Sequence, residues 1–205
     1  MLKGYGKLHA RLDSRLPITI STLHKLLQSA SLLPLSKYQI LMFQAMCSTA
    51  FFGFLRVGEI TFSAMTPPPI QIHQLTKLVD GFKIKFLNFK HSYNQPPFYL
   101  VISPQSTFCP LKILLQFLSA RGDSQGALFI QDDGSPVSRS WFSVQLSSAI
   151  RLRGLNPSFY KGHSFRIGVA SHAAERGMSD AQIRILGRWK STAFLKYIRV
   201  SSLSS

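Results

Sequence analysis

The chain has 205 residues, 45% of them hydrophobic and 12% aromatic, which allows one domain with a substantial core and excludes a disordered polymer. Lys and Arg number 24 against 8 Asp and Glu, a formal +16. That excess suits a polyanionic partner, because each neutralised phosphate releases condensed counterions, although a basic ribosomal-type protein carries the same imbalance. Cys47 and Cys109 sit in no CxxC or Cys/His cluster, so no zinc site is implied and a reduced compartment is the simpler reading.

Residues 1–18 read as a linker, basic throughout, with Gly4, Gly6 and Pro17 and without the apolar stretch of a signal peptide. Leu23, Leu26, Leu27 and Ala30 share a face and predict a first helix, closed by Pro34. Ser36 is placed to cap the second, whose apolar residues include Ile40, Leu41, Phe43 and Ala45 to Cys47, before Gly53 interrupts it. The run from Tyr38 to Leu55 is 18 residues long and uncharged, the lower edge of a membrane span. Gln39, Gln44, Ser48 and Thr49 lie within it, and polar groups are costly in lipid, so it reads as a buried core helix.

Pro67, Pro68 and Pro69 then break helix. Residues 79–87 alternate as a strand does, and the polar turn NFKHSYNQP leads to a second strand, Phe98 to Ile102, predicting a hairpin. Pro110 opens another helix, with Leu111, Leu114, Leu115 and Leu118 on one side. Leu128-Phe129-Ile130 reads as a short strand before the Asp133-Gly134 turn. Helices are predicted at 139–153, 164–176, 179–186 and 191–199, with Gly177 and Gly187 as C-terminal stops. The expected class is α+β, mainly α, with a small antiparallel sheet.

Chemistry concentrates between residues 161 and 199. His163 and Arg166 are three apart at a helix start, where both can point one way and the helix N-terminus favours an anion. Leu186-Gly187-Arg188-Trp189 follows, then Tyr197. Earlier in the chain stands Leu55-Arg56-Val57-Gly58-Glu59. An isolated HxxR pair or tyrosine says little, but the ordered set resembles the tyrosine recombinase, or phage integrase, family. That family combines an Arg in an LRxxE turn, a hairpin Lys, an HxxR box, a His or Trp after LG, and a nucleophilic Tyr. Here the positions are filled by Arg56, Lys90, His163, Arg166, Trp189 and Tyr197, over residues 56–197. The GRW…Y ending is similar to recombinases of eukaryotic mobile elements of the DIRS and crypton types. Trp189 to Tyr197 is eight residues, one fewer than in many bacterial members, and only eight residues follow Tyr197. That tail is short for the C-terminal helix that many members pass to a neighbouring subunit.

The resemblance implies the catalytic-domain fold of DNA breaking-rejoining enzymes over 19–205, with 1–18 as the linker from an N-terminal DNA-clamping domain. It implies double-stranded DNA as partner, a homotetramer on that DNA, no membrane, and neither metal nor cofactor; a eukaryotic source would make it nuclear. Tyr197 would attack the scissile phosphorus to give a 3′-phosphotyrosyl link and a free 5′-hydroxyl, a step that a second strand's 5′-hydroxyl reverses. Arg56 and Arg166 would meet the non-bridging oxygens, since the guanidinium fork stays charged and matches phosphate geometry. Lys90 would protonate the departing 5′-oxygen, although Lys83 and Lys85 lie close by. His163 would assist proton transfer at the tyrosine, and Trp189 would donate an indole hydrogen bond or pack on the tyrosine segment. Glu59 reads as a scaffold for the arginines. His91 and His172 match no position of the set, His172 falling on a packing side. Two other readings share the sequence: a DNA-binding module that has lost catalysis, and a relaxing topoisomerase of type IB mechanism.

Overall fold

The sequence writes helix α1 (Ile20–Ser29) through a Thr19 cap, whose hydroxyl accepts from the Thr22 backbone, and through the buried stripe Leu23, Leu26 and Leu27. A single 3-10 turn, Ala30–Leu32, and Pro34 separate it from α2 (Lys37–Phe52). There Ser36 and Gln39 form a reciprocal capping box. The uncharged run is this helix. It is buried from Met42 to Phe51 with Gln44 half-buried, and Gln44 donates to the Leu27 carbonyl at 2.8 Å. It packs against α1, α4 (Pro110–Arg121) and α6 (Gly162–Glu175), which makes it the axis of the core. Among the described residues no helix is long and apolar enough to cross a membrane. The computed structural model describes residues 14–65, 67–87 and 96–199.

A short helix α3 (Val57–Ile60) follows α2. The sheet has three antiparallel strands in the order β1 (Leu75–Leu78), β2 (Gly81–Phe86), β3 (Phe98–Ile102), the expected hairpin joined by a strand, β1, that the sequence did not mark. Strand β1 pairs Leu75 with Ile84 and Leu78 with Gly81, so Val79 and Asp80 form a tight turn rather than the start of a strand. Leu-Thr-Lys-Leu is too short and polar to announce itself, although the Asp80-Gly81 step is a hairpin signal. Phe82, Ile84, Phe86, Leu100 and Ile102 face the core, while Lys83, Lys85, Tyr99 and Val101 alternate with them towards the opposite face.

Leu128-Phe129-Ile130 is not a strand. It is buried, but the chain bends at Leu128 and Phe129 and its neighbourhood makes only isolated bridges, Gln71 with Ala127 and Ile130 with Pro136. The ladder is replaced by Arg121, whose guanidinium donates to the carbonyls of Leu128, Ala127, Ser124 and Gly122 at 2.6–3.0 Å. Helix α5 (Arg139–Arg151) is capped by Ser138, and α6 and α7 (Asp180–Leu186) follow. Gly177 takes φ +79 after α6, as a left-handed stop should. Gly187 does not, because φ is −78 there and the left-handed residue is Arg188, at φ +53. The last predicted helix is a 3-10 segment, Thr192–Tyr197.

Residues 14–18 run along the body of the domain. Leu16 donates its backbone N–H to Phe159, Ile18 donates to Ser164, and Ile18 is fully buried. Gly168 makes room for this crossing, since a Cβ there would lie 1.8 Å from the Ile18 carbonyl oxygen. Gly168→Ala is therefore expected to cost on the order of 3 kcal/mol through overpacking against backbone, measured by urea unfolding. Unchanged stability would mean that the crossing yields freely.

Candidate active site

Two helix ends build the site, and each ends in the same way. After α2, Gly53 is followed by Phe54 at φ +49; after α7, Gly187 is followed by Arg188 at φ +53. Left-handed backbone is costly for residues with a Cβ, and such strain persists only where surrounding contacts fix it. At Phe54 the bent backbone offers its carbonyl to two arginines, Arg166 Nη1 at 2.6 Å and Arg188 Nη2 at 3.4 Å. At Arg188 it sends the side chain inward, where Nη2 donates to Glu59 Oε2 at 2.7 Å and the guanidinium lies 4.1 Å from the Phe86 ring centre. Gly187 is required for another reason: a Cβ there would fall within the Trp189 ring, 1.5 Å from its nearest atom.

Glu59 is the only carboxylate in this group that the arginines touch among the described residues. It accepts from the Arg56 backbone N–H at 2.8 Å, from Arg56 Nη1 at 3.1 Å and from Arg188. The scaffold role read from the sequence is thus present, with Arg188 in place of Arg166 as the second arginine. Arg166 is 2% exposed and sits on α6 beneath the Trp189 ring, whose centre is 4.0 Å from its guanidinium carbon. Its other terminal nitrogen donates to the Gly187 carbonyl at 2.7 Å. Burial, then the Arg56 and Arg188 charges, pull its pKa down to about 9, with Glu59 and Tyr197 opposing. Arg188 is also lowered, first by burial, with the Arg56 charge adding and Glu59 opposing. Three guanidiniums share one carboxylate, so the site carries an unbalanced positive potential that an oxyanion would relieve.

The rings complete it. Tyr197, half-buried at the end of the 3-10 segment, lies 5.5 Å from the Trp189 ring centre and 6.3 Å from that of His163, nearly parallel to the imidazole. Ser171 of α6 fixes the tyrosine's backbone: its hydroxyl donates to the Tyr197 carbonyl at 3.2 Å and accepts from the Arg199 N–H at 2.7 Å.

The structure therefore brings Arg56, His163, Arg166, Trp189 and Tyr197 to one place; Lys90 lies outside the described residues, as does His91. Arg56 is the most open of the three arginines, its side chain 27% exposed. Lys83 stands over the Tyr99 ring on the outer face of the sheet, and His172 packs by Phe51. Sequence reasoning missed Arg188 and Ser171. The signal for Arg188 was present: the family spacing of nine residues before the tyrosine falls on it, one residue before Trp189. Nothing marked Ser171. Among the described residues no group of three or more His, Cys, Asp or Glu side chains could hold a metal ion.

No family model and no curated protein matches the sequence. Solved structures do match in fold. XerH site-specific recombinase in a post-cleavage complex with palindromic difH substrate aligns at TM-score 0.73 and 15% identity, over 98% of this chain and 53% of that one. XerA recombinase aligns at 0.67 and 16%, over 91% and 61%. The Tn1549 transposon integrase with circular intermediate DNA aligns at 0.58 and 10%, over 92% and 62%. The chain spans between about half and three-fifths of the length of these proteins. It has the fold of the tyrosine recombinase catalytic domain.

Glu59→Gln should destabilise the domain by on the order of 3 kcal/mol, because it strands the buried Arg188 charge. Denaturant unfolding should show a much smaller additional loss when Arg188→Met is added; additivity of the two would deny the coupling. Gly187→Ala should displace the Trp189 ring from Arg166, read as a shift in tryptophan emission that Gly177→Ala does not produce.

Proposed function

We propose that this domain breaks and rejoins duplex DNA through a 3′-phosphotyrosyl intermediate on Tyr197, as a site-specific recombinase or integrase. The observation that carries the reading is the seating of a tyrosine ring beside a histidine and a tryptophan, over an arginine cluster with too little negative charge. A phosphodiester supplies the missing charge. Arg56 presents the exposed guanidinium to a non-bridging oxygen, and Arg166 and Arg188 add positive potential from below. Arg166 reaches the phosphate directly once the Trp189 ring swings off it. Preorganised donors of this kind are typically worth about 3 kcal/mol each in the transition state.

In the chemical step the Tyr197 oxygen bonds to phosphorus, the bond to the 5′-oxygen breaks, and the phenolic proton passes to His163. The 5′-oxygen takes a proton from a general acid, for which Lys90 is our candidate. Rejoining reverses each transfer, so bond energy is conserved in the protein–DNA link. The DNA-bound states of the XerH and Tn1549 structures support DNA as the partner. A homotetramer on DNA, an origin in a eukaryotic mobile element and a nuclear site of action complete the proposal.

One observation favours a second reading, a DNA-binding module without catalysis: both terminal nitrogens of Arg166 are already engaged by carbonyls, under a tryptophan. The experiment that separates the two uses a library of random-sequence duplexes, each nicked near its centre so that cleavage traps the enzyme. Wild-type protein is expected to give a denaturant-resistant protein–DNA adduct whose modified peptide contains Tyr197. Tyr197→Phe keeps the ring and is expected to lose the adduct with DNA affinity unchanged. An adduct formed at the wild-type rate by Tyr197→Phe would place the nucleophile elsewhere. No adduct from wild type on any library member would leave the non-catalytic reading standing.

A further inference from the structure

Beside the site lies a cavity that none of the roles above uses. One wall is a face of α5, where Arg139, Ser143 and Ser147 recur at intervals of four residues. The other is the turn into α6, Tyr160 to Gly162, and Val57 of α3 also lines it. Its volume is about 190 Å³. Arg139 and Lys161 bring two positive charges and no carboxylate lines it, so its chemistry is that of an anion site. Tyr160 is the most telling member. It is only 8% exposed and lines this cavity, and a phenolic hydroxyl can donate to an anion.

The cavity adjoins the arginine site at two points along the chain. Val57 lines the cavity and follows Arg56; Gly162 lines it and precedes His163. These junctions are pressed together, because a Cβ on Gly162 would lie 2.8 Å from Val57 Cγ2. Two anion sites held side by side by the same pair of backbone crossings match a ligand with regularly spaced phosphates. We propose that this cavity binds the phosphate next to the reacting one on the same DNA strand, with Tyr160 and Ser147 as hydroxyl donors and Arg139 and Lys161 as its charges. The assignment rests on the function proposed above. It gives the strand a second anchor, which would fix which phosphate meets Tyr197.

The test is binding of a fluorescent random-sequence duplex as a function of salt, with thermal unfolding to verify that each variant is folded. Tyr160→Phe and Ser147→Leu change no charge, and each is expected to weaken binding about tenfold, the usual value of a hydrogen bond to a charged group. Arg139→Gln with Lys161→Gln should lower the slope of log K against log salt by about 0.9, one phosphate's worth. Lys37→Gln with Lys112→Gln removes the same charge from α2 and α4 and should leave the slope as it is. Wild-type affinity in both uncharged variants would overturn the proposal, as would equal slopes in the two double variants. Stabilisation of the wild type by inorganic phosphate that Tyr160→Phe abolishes, with DNA binding unaffected, would make the cavity a free-anion site and also overturn it. If wild-type protein shows no salt-dependent DNA binding at all, the proposed function itself fails and the cavity's role with it.

Discussion

Three arginines sharing one carboxylate is the constraint on which the rest of the structure turns. Glu59 balances at most one of Arg56, Arg166 and Arg188, and two of the three are buried. Taking a guanidinium out of water costs several kcal/mol, so the remaining charge must be met by dipoles and π-faces. The Phe54 and Gly187 carbonyls, the Trp189 ring over Arg166 and the Phe86 ring under Arg188 do this. The site thereby keeps a net positive potential whose electrostatic complement is an oxyanion.

The same constraint explains features that otherwise look unrelated. Two of the three non-glycine residues with positive φ among those described, Phe54 and Arg188, sit where a carbonyl or a guanidinium must be turned inward. The charge cluster also joins the helical body to the sheet: Arg188 lies over Phe86 and within 5.7 Å of Phe98, the paired residues at the end of the β2–β3 ladder. The end of the β2–β3 ladder and the arginine site therefore share the Arg188 side chain.

Against this rigid cluster, the tyrosine is held more lightly. Its segment is a 3-10 turn rather than the α-helix that its periodicity suggests, and Ser171 ties it by one hydrogen bond to the Tyr197 carbonyl and one from the Arg199 N–H just beyond it. Shorter hydrogen-bonded turns cost less to rearrange than a packed helix, so the ring of Tyr197 is positioned by its neighbours more than by its own segment.

By itself the sequence determined the helices whose apolar stripes and caps are local: Thr19 and Ser36 begin α1 and α2, Pro110 begins α4, and Gly177 ends α6. Through the ordered set that resembles a known family it also marked Arg56, His163, Arg166, Trp189 and Tyr197, which the fold gathers around one place. Only the tertiary structure decided what depends on distant partners. Strand β1 exists because β2 lies beside it, whereas the carbonyls of Leu128, Phe129 and Ile130 go to three separate donors, Arg121, the Val137 N–H and the Tyr38 hydroxyl, rather than to a partner strand. Gly187 looks like an ordinary helix stop until the Trp189 ring is seen against its Cα, and Arg188 looks like a surface cation until Glu59 meets it from 129 residues away in the chain. Periodicity and capping act within a turn or two of chain, whereas burial of a charge is settled by whichever residues the fold brings around it.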